Sequence, residues 1–174
     1  YGIDTVNNIG NPLDNHGHGT HVAGIIGAMG HNNEGGVGVA FNVQIMAVKA
    51  AHSSGRLTSS NVAKAVNYAV NMGADIINMS FGGYGRSTLE EEALQRAYES
   101  AVLVAAAGND GINNEPSASG KPTYPASYDW VLGVMAQNQS PDRYGDNLAS
   151  FSNWDLIPKN SFEYEIMAPG VDIF

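Results

Sequence analysis

Apolar runs of strand length alternate along this chain with segments in which apolar residues recur at helical spacing. The alternation is typical of a parallel sheet covered by helices, because strands buried on both faces carry nearly continuous apolar runs. We therefore predict an α/β fold with a three-layer, doubly wound and mostly parallel sheet that has helices on both faces. The predicted strands cover residues 43–50, 75–79, 101–106, 130–136 and 165–168.

Two helices are predicted between these strands. Residues 59–72 form the first, with Ser59 or Ser60 as its N-cap and Gly73 just past its end. The residues expected on its apolar side are Val62, Val66, Tyr68, Ala69 and Val70. The second helix opens with a capping box at residues 87–90, and the apolar residues it carries are Leu94, Ala97 and Tyr98. Loops rich in Gly, Pro, Asn and Ser are predicted at residues 110–127 and 137–147.

Composition and charge exclude several classes of function. With 174 residues, 43% of them hydrophobic, the chain is long enough for one globular domain, and no internal repeat or domain boundary is visible. Its 17 acidic and 8 basic residues give a formal net charge of −9, and the basic residues are scattered, so we expect no nucleic-acid partner. The absence of cysteine excludes disulfides and a thiolate nucleophile. No apolar stretch approaches the ~20 residues that cross a bilayer, so no membrane span is expected.

Candidate chemistry is concentrated in four short blocks. The first holds His16, His18 and His21, directly ahead of an apolar, helix-forming run. An imidazole titrates near pH ~6.5, so it can take up a proton and return it close to neutrality. The other blocks are Ile77-Asn78-Met79-Ser80-Phe81-Gly82-Gly83, Val104-Ala105-Ala106-Ala107-Gly108-Asn109-Asp110 and Met167-Ala168-Pro169-Gly170-Val171.

Two of these blocks are expected to meet in space. Residues 80–83 and residues 107–109 each follow directly on a predicted strand. The carboxyl ends of parallel strands share one edge of the sheet, and α/β proteins gather their functional loops there. The pattern alone therefore predicts a site at this edge.

All four blocks together resemble the subtilisin-like serine proteases (the subtilases, peptidase family S8), in whose order they occur across nearly the whole chain. The resemblance implies an endopeptidase that hydrolyses peptide bonds through an Asp-His-Ser triad and an acyl-enzyme. It implies that His18 is the general base and that Asn109 is the side-chain donor of the oxyanion hole. His21 is expected to be a packed or hydrogen-bonded support. The substrate-binding residues that it implies are Ser80, Phe81, Gly82, Gly83, Ala107 and Gly108.

Two parts of the family pattern do not occur in this sequence. They are the Asp-(Ser/Thr)-Gly-(Ile/Val) motif of the catalytic aspartate and the Gly-Thr-Ser-Met-Ala motif of the nucleophile. Asp4 follows a Gly-Ile pair instead of preceding it, and Asp14 belongs to the loop that leads to His18, so neither is assigned to the triad. We therefore expect residues 1–174 to be an internal part of a catalytic domain that is incomplete at both ends and inactive alone. The aspartate segment is expected before residue 1 and the serine segment after residue 174.

The resemblance also implies partners and a location. It requires no cofactor for the chemistry, but a structural calcium ion is a possibility in the Asn-rich loop at residues 30–36, since calcium takes carbonyl and carboxylate oxygens. The expected partners are polypeptide substrates and, in addition, a propeptide or a protein inhibitor. The expected location is secreted or extracellular.

Two other classes of function remain open from the sequence. The chain could be an inert binding module that keeps the protease scaffold without its chemistry. It could also belong to a metallohydrolase, because His16, His18 and His21 resemble the His-Xaa-His-Xaa-Asp-His metal cluster of the metallo-β-lactamase fold. Thr20 stands where that cluster needs its aspartate, and that class explains neither the Asn109 block nor the Ala168-Pro169-Gly170 block.

Overall fold

The computed structural model describes residues 2–113, 121–139, 147–155 and 164–173. They form two compact units, one reaching to Ala74 and the other covering Asp75–Ile173. In both units parallel strands alternate with helices, which confirms the predicted α/β class. The expectation of one partial catalytic domain over residues 1–174 stays a prediction. Parts of the two predicted loops, residues 114–120 and 140–146, lie outside the described residues.

The first unit contains two strands and two helices. Strand β1 (Gly2–Asp4) pairs in parallel with β2 (Ala47–Lys49), with Gly2 opposite Ala47. Helix α1 (His18–Gly27) lies between them in sequence, and α2 (Ser59–Asn71) follows β2 and packs against it. The apolar side of α2 supplies the buried residues Val62, Ala63, Val66 and Ala69, whereas Tyr68 and Val70 are half-buried.

An ion pair ties the two strands of this unit together. The carboxylate of Asp4 is buried and lies 3.3 Å from Nζ of Lys49. Burial opposes ionisation of Asp4, but hydrogen bonds from Asn7, Lys49 and Val6 outweigh it and lower its pKa to about 2. Asp4 is thus a structural carboxylate, in agreement with its exclusion from the triad.

Two sequence predictions in this unit need correction. Strand β2 covers only three residues of the predicted 43–50, because the amide of Val43 donates to the carbonyl of Ala40 in a turn, so that the ladder begins later. The N-cap of α2 is Thr58, not Ser59 or Ser60. Thr58 is extended, and its Oγ1 accepts a hydrogen bond from the amide of Asn61 at 3.2 Å.

The second unit is built on a parallel sheet of four strands in the order β3-β4-β5-β6. These strands are Ile76–Met79, Val102–Ala106, Leu132–Gln137 and Ile166–Pro169. Each begins within two residues of its predicted start. The register places Met79 opposite Ala105 and Ala106 opposite Val134, so β3 and β4 end side by side.

Helix α3 (Thr88–Tyr98) connects β3 to β4 and packs on β4. Its N-cap is Ser87, whose hydroxyl accepts a hydrogen bond from the amide of Glu90, as the predicted capping box requires. Leu94 and Ala97 are buried, but Tyr98 is 59% exposed and lies outside the apolar side to which we assigned it. Other residues buried in this unit are Met79, Ala93, Leu103, Ala105 and Val131.

Candidate functional site

The carboxyl edge of β3 and β4 brings two of the predicted blocks together. Residues 80–83 follow β3, and residues 107–109 follow β4, its neighbour in the sheet. All of these residues except Ala107 line a cavity of about 190 Å³. The residues that line it are Ser80, Phe81, Gly82, Gly83, Tyr84, Ala106, Gly108, Asn109, Asp110 and Thr123. This volume is well below the roughly 300–1,000 Å³ typical of small-molecule pockets, so the cavity is of a size for one side chain.

The segment after β3 is fixed by main-chain hydrogen bonds. Gly83 donates to the carbonyl of Tyr124 at 2.9 Å and accepts from the amide of Tyr124 at 2.8 Å. A Cβ on Gly82 would lie 2.7 Å from Cγ2 of Thr123, so a larger residue would displace the threonine beneath it. The Ser80 hydroxyl accepts from the side-chain amide of Asn78 at 2.9 Å. The segment therefore presents a pre-formed backbone at the rim of the cavity.

The segment after β4 presents Asn109 on an exposed turn. Gly108 reaches this turn through a φ of 111°, a left-handed conformation that glycine adopts without strain. Ala107, which we predicted to bind substrate, is fully buried and does not line the cavity, because side chains alternate along a strand and Ala105 and Ala107 both face the core. The wall next to Asn109 is formed instead by Ala106 and Gly108.

Tyr84 and Asp110 join the two segments across the cavity. The Tyr84 hydroxyl donates a hydrogen bond to Oδ2 of Asp110. Burial and this hydrogen bond raise the pKa of Tyr84, which favours the protonated hydroxyl that donates to Asp110. Neither was predicted as a site residue, although Tyr84 directly follows one predicted block and Asp110 is the last residue of another. Thr123 was also missed, and no motif in the sequence marks it.

His18 belongs to the other unit, where it is the first residue of α1 and its side chain is exposed. The N-cap of this helix is Gly17, which has no side chain to offer the first turn. The carboxylate of Asp14 caps the first turn in its place. It accepts hydrogen bonds from the amides of His16, Gly17 and Thr20 at 2.8–2.9 Å and from the Thr20 hydroxyl at 2.7 Å. The backbone that carries His18 is thus held on both sides.

The hydrogen bonds of Asp14 also set its charge. Those from Gly17, His16 and Thr20 hold the pKa of the Asp14 carboxyl well below its usual range. A lowered pKa means that the ionised form is the one that the folded loop prefers. The ionised Asp14 carboxylate makes its full contribution to the free energy of unfolding above the ordinary pKa of aspartate, about 4. That contribution is lost only as the pH falls below this value. Asp14 therefore anchors the loop that leads to His18, and its exclusion from the triad stays a prediction.

The neighbouring histidines do not gather around a metal. The His16 and His18 rings are 6.4 Å apart in an edge-to-face arrangement, and His16 lies against Gly55. His21 is exposed, so the packed side chain that we expected there is wrong, whereas its alternative role as a hydrogen-bonded support stays a prediction. Among residues 2–113, 121–139, 147–155 and 164–173, no three His, Cys, Asp or Glu side chains are close enough to hold a metal ion.

A structural calcium ion in the loop at residues 30–36 stays a prediction. Among the side chains of this loop, Oδ1 of Asn32 accepts a hydrogen bond from the amide of Glu34, and Glu34 is the only carboxylate. Calcium takes about 6–8 oxygen ligands, main-chain carbonyls included, so a site here would rest mainly on carbonyl oxygens.

A larger groove, of about 650 Å³, lies at the opposite ends of the strands. Residues 98–103 and 129–132 line it, together with Asp75 and Glu165. It contains none of the predicted site residues, and parallel sheets place their sites at the carboxyl ends of strands. In the described part of the chain no helix is long and apolar enough to span a membrane.

Comparison with known proteins decides the family. The sequence profile of the Subtilase family matches residues 2–173. This chain belongs to the subtilase family. The subtilase chain is 42% identical to Subtilisin DY of Bacillus licheniformis over 162 residues, covering 92% of this chain and 54% of that protein. It is 41% identical to Minor extracellular protease Epr of Bacillus subtilis (strain 168), covering 92% of this chain and 22% of that protein.

Solved structures agree with this assignment. The crystal structure of a cold-adapted subtilisin-like serine proteinase superimposes with a TM-score of 0.79 at 33% identity, covering 99% of this chain and 56% of that one. The likeness confirms the predicted three-layer α/β fold of the subtilases. The subtilase chain thus spans about half the length, or less, of the relatives that it matches.

Proposed function

We propose that this chain is part of a subtilisin-type serine endopeptidase in which His18 is the general base and Asn109 the oxyanion donor. One observation carries the proposal: residues 80–83 meet Gly108 and Asn109 around one cavity at the carboxyl edge of β3 and β4 in a chain of the subtilase family. Acyl transfer needs a donor beside a pocket that holds the residue before the scissile bond.

The proposed chemistry assigns a proton transfer and a charge to these residues. The imidazole of His18 takes the proton of the nucleophilic serine as the serine oxygen bonds to the scissile carbonyl carbon. Negative charge then develops on the carbonyl oxygen, and the Asn109 side-chain amide donates a hydrogen bond to it. His18 next gives its proton to the leaving amine as the C–N bond of the tetrahedral intermediate breaks, which leaves the acyl-enzyme. Water then attacks the acyl carbon with His18 again as the base, and the ester bond to the serine breaks to release the acid.

The proposal places the nucleophilic serine and the triad aspartate outside residues 1–174. Neither motif occurs in this sequence, and the chain covers 54% of Subtilisin DY and 56% of the cold-adapted proteinase. In the proposal these residues supply the base, the oxyanion donor and the substrate-binding segment. The chain alone is then inactive, because a base and a donor without a nucleophile form no acyl-enzyme.

The proposed substrate is an extended polypeptide that pairs with residues 80–83. Main-chain groups of this segment other than those of Gly83, which bond Tyr124, give affinity as in other cases of strand addition, and the cavity receives the side chain before the cut. Phe81 and Ala106 favour a large apolar side chain there. A propeptide or protein inhibitor would occupy the same segment. We also propose that the protein is secreted, as the name of the extracellular protease Epr states for that relative.

The test is hydrolysis of an unfolded protein by the full-length protein. We expect cleavage that phenylmethylsulfonyl fluoride abolishes, because the reagent acylates an activated serine, and that 1,10-phenanthroline leaves unchanged. Cleavage lost only with the chelator would indicate a metallohydrolase instead. Complete absence of hydrolysis by a folded, full-length protein would indicate an inert binding module.

A further inference from the structure

Asn153 is the most completely buried polar residue next to the proposed site. It is 0% exposed, and it lies 44 positions beyond Asn109 in sequence, in a segment for which the sequence predicted no element and no site residue. Its side chain nevertheless contacts the turn that carries Asn109 on both sides. A buried amide is retained at little cost only where all its hydrogen-bonding groups find partners.

Every hydrogen-bonding group of the Asn153 side chain has a partner. Oδ1 accepts from the amides of Asp110 at 2.9 Å and Ile112 at 3.3 Å. Nδ2 donates to the carbonyl of Ala107 at 3.2 Å and to the hydroxyl oxygen of Thr123 at 3.2 Å. Because two partners are amide donors and one is a carbonyl, only this orientation of the side-chain amide satisfies them all. The orientation is therefore fixed by the loop itself.

The main chain around Asn153 reinforces this arrangement. The amide of Asn153 donates to the carbonyl of Gly108 at 2.9 Å, and the amide of Trp154 donates to Ile112 at 3.0 Å. A Cβ on Gly108 would lie 2.3 Å from Nδ2 of Asn153, so the glycine lets the two segments approach this closely. Residues on both sides of Asn109 are thus bound to one rigid partner, while the Asn109 side chain remains exposed.

We propose that Asn153 is a positioning residue for the oxyanion donor: it holds residues 107–112 so that Asn109 projects at the rim of the cavity. The proposal rests on the proposed function of Asn109 and extends it to a residue that does not touch substrate. A donor displaced by about 1 Å loses much of its effect on the transition state, since such stabilisation depends on preorganisation. Ground-state binding to residues 80–83 is expected to change less, because the hydrogen bonds that hold Gly83 come from Tyr124 and not from Asn153.

The experiment is a double-mutant cycle in the full-length protein with Asn153→Ala and Asn109→Ala. We expect Asn153→Ala alone to lower kcat by roughly 10- to 10²-fold with KM nearly unchanged. In the Asn109→Ala background the same change should lower kcat by less than about 3-fold, because the donor that it positions is already gone. The matched control is Thr5→Val, which removes a buried hydroxyl that donates to the carbonyls of Lys49 and Asn61 in the other unit and should leave kcat unchanged.

Different failures have different meanings. An unchanged kcat in a folded Asn153→Ala protein, or an equal loss in both backgrounds, overturns the positioning role and leaves the proposed function standing. An Asn109→Ala protein of full activity overturns the oxyanion role and this inference with it. Should Asn153→Ala not fold, Asn153→Asp preserves size and acceptors but sets an oxygen against the carbonyl of Ala107, and a loss in kcat is again expected.

A measurement on the unaltered protein completes the test. Hydrogen exchange at the amides of Asp110 and Ile112 should be slow, because both donate to the buried Oδ1 of Asn153. Fast exchange at both amides would overturn the proposal without any variant.

Discussion

Replacing His18 by alanine in the full-length protein should lower kcat by about 10⁶-fold and leave KM within a few-fold, the loss known for the catalytic histidine of subtilisin itself. Without the imidazole, the nucleophilic serine has no group to take its proton or to protonate the leaving amine. The fold should persist, because Asp14 holds the loop through backbone groups and Thr20 rather than through the His18 ring. Initial rates on a chromogenic peptide, with thermal unfolding in parallel, measure both quantities.

The matched control for this change is His31→Asn. His31 is also exposed, and its φ of 62° is one that asparagine adopts readily. We expect the control to retain kcat and KM. A His18→Ala protein within 10-fold of the normal kcat would contradict the assignment of the general base, whatever the control shows.

Replacing Asn109 by alanine should lower kcat by about 10²- to 10³-fold while KM stays nearly constant, which is the range known for the oxyanion asparagine of subtilisin. We expect kcat but not KM to change, because the donor bonds an oxyanion that exists only in the transition state and the tetrahedral intermediate. The measurement is a full Michaelis–Menten analysis with one peptide substrate. The turn should keep its conformation, because the residues hydrogen-bonded to the Asn153 side chain are 107, 110 and 112 and not 109.

Asn67→Ala is the control for the oxyanion variant. Asn67 is exposed on α2, a helix that takes no part in the proposed chemistry. The substitution therefore removes the same kind of side chain as Asn109→Ala, but away from the site. Its kcat should equal that of the unaltered protein. If Asn109→Ala raised KM instead and left kcat unchanged, Asn109 would be a residue of ground-state binding and the oxyanion role would be wrong.

The site at the sheet edge was predictable because it depends on local order. Residues 80–83 and 107–109 each continue a strand, and parallel pairing with Met79 opposite Ala105 then brings the two ends side by side. No long-range information is needed for that step. The same reasoning could not exclude Ala107 from the cavity, because which face of β4 is buried depends on packing against α3.

The N-cap of α2 shows where local patterns become ambiguous. Thr58, Ser59 and Ser60 are all good capping residues, so the sequence alone does not choose among them. Leu57 pairs with Ala51 in an isolated β-bridge, and the extended backbone continues through Thr58. Thr58 is therefore the last extended residue and becomes the N-cap, and the helix begins at Ser59.

Asn153 marks the limit of sequence reasoning. Nothing near it in sequence indicates a role in the site, and its partners lie 30 to 46 residues away. Its importance emerges only when the folded chain brings residues 151–154 alongside residues 107–113. Buried polar groups of this kind have no periodicity that a sequence pattern could reveal.

The most direct test of the account is the intact mass of two proteins after treatment with a fluorophosphonate that labels only activated serines. One is residues 1–174, and the other is the full-length protein, with a heat-denatured sample as the control for non-specific labelling. We predict one adduct on the folded full-length protein, none on residues 1–174 and none after denaturation. An adduct on residues 1–174, or no adduct on the folded full-length protein, would contradict the proposed serine endopeptidase with its nucleophile outside this chain.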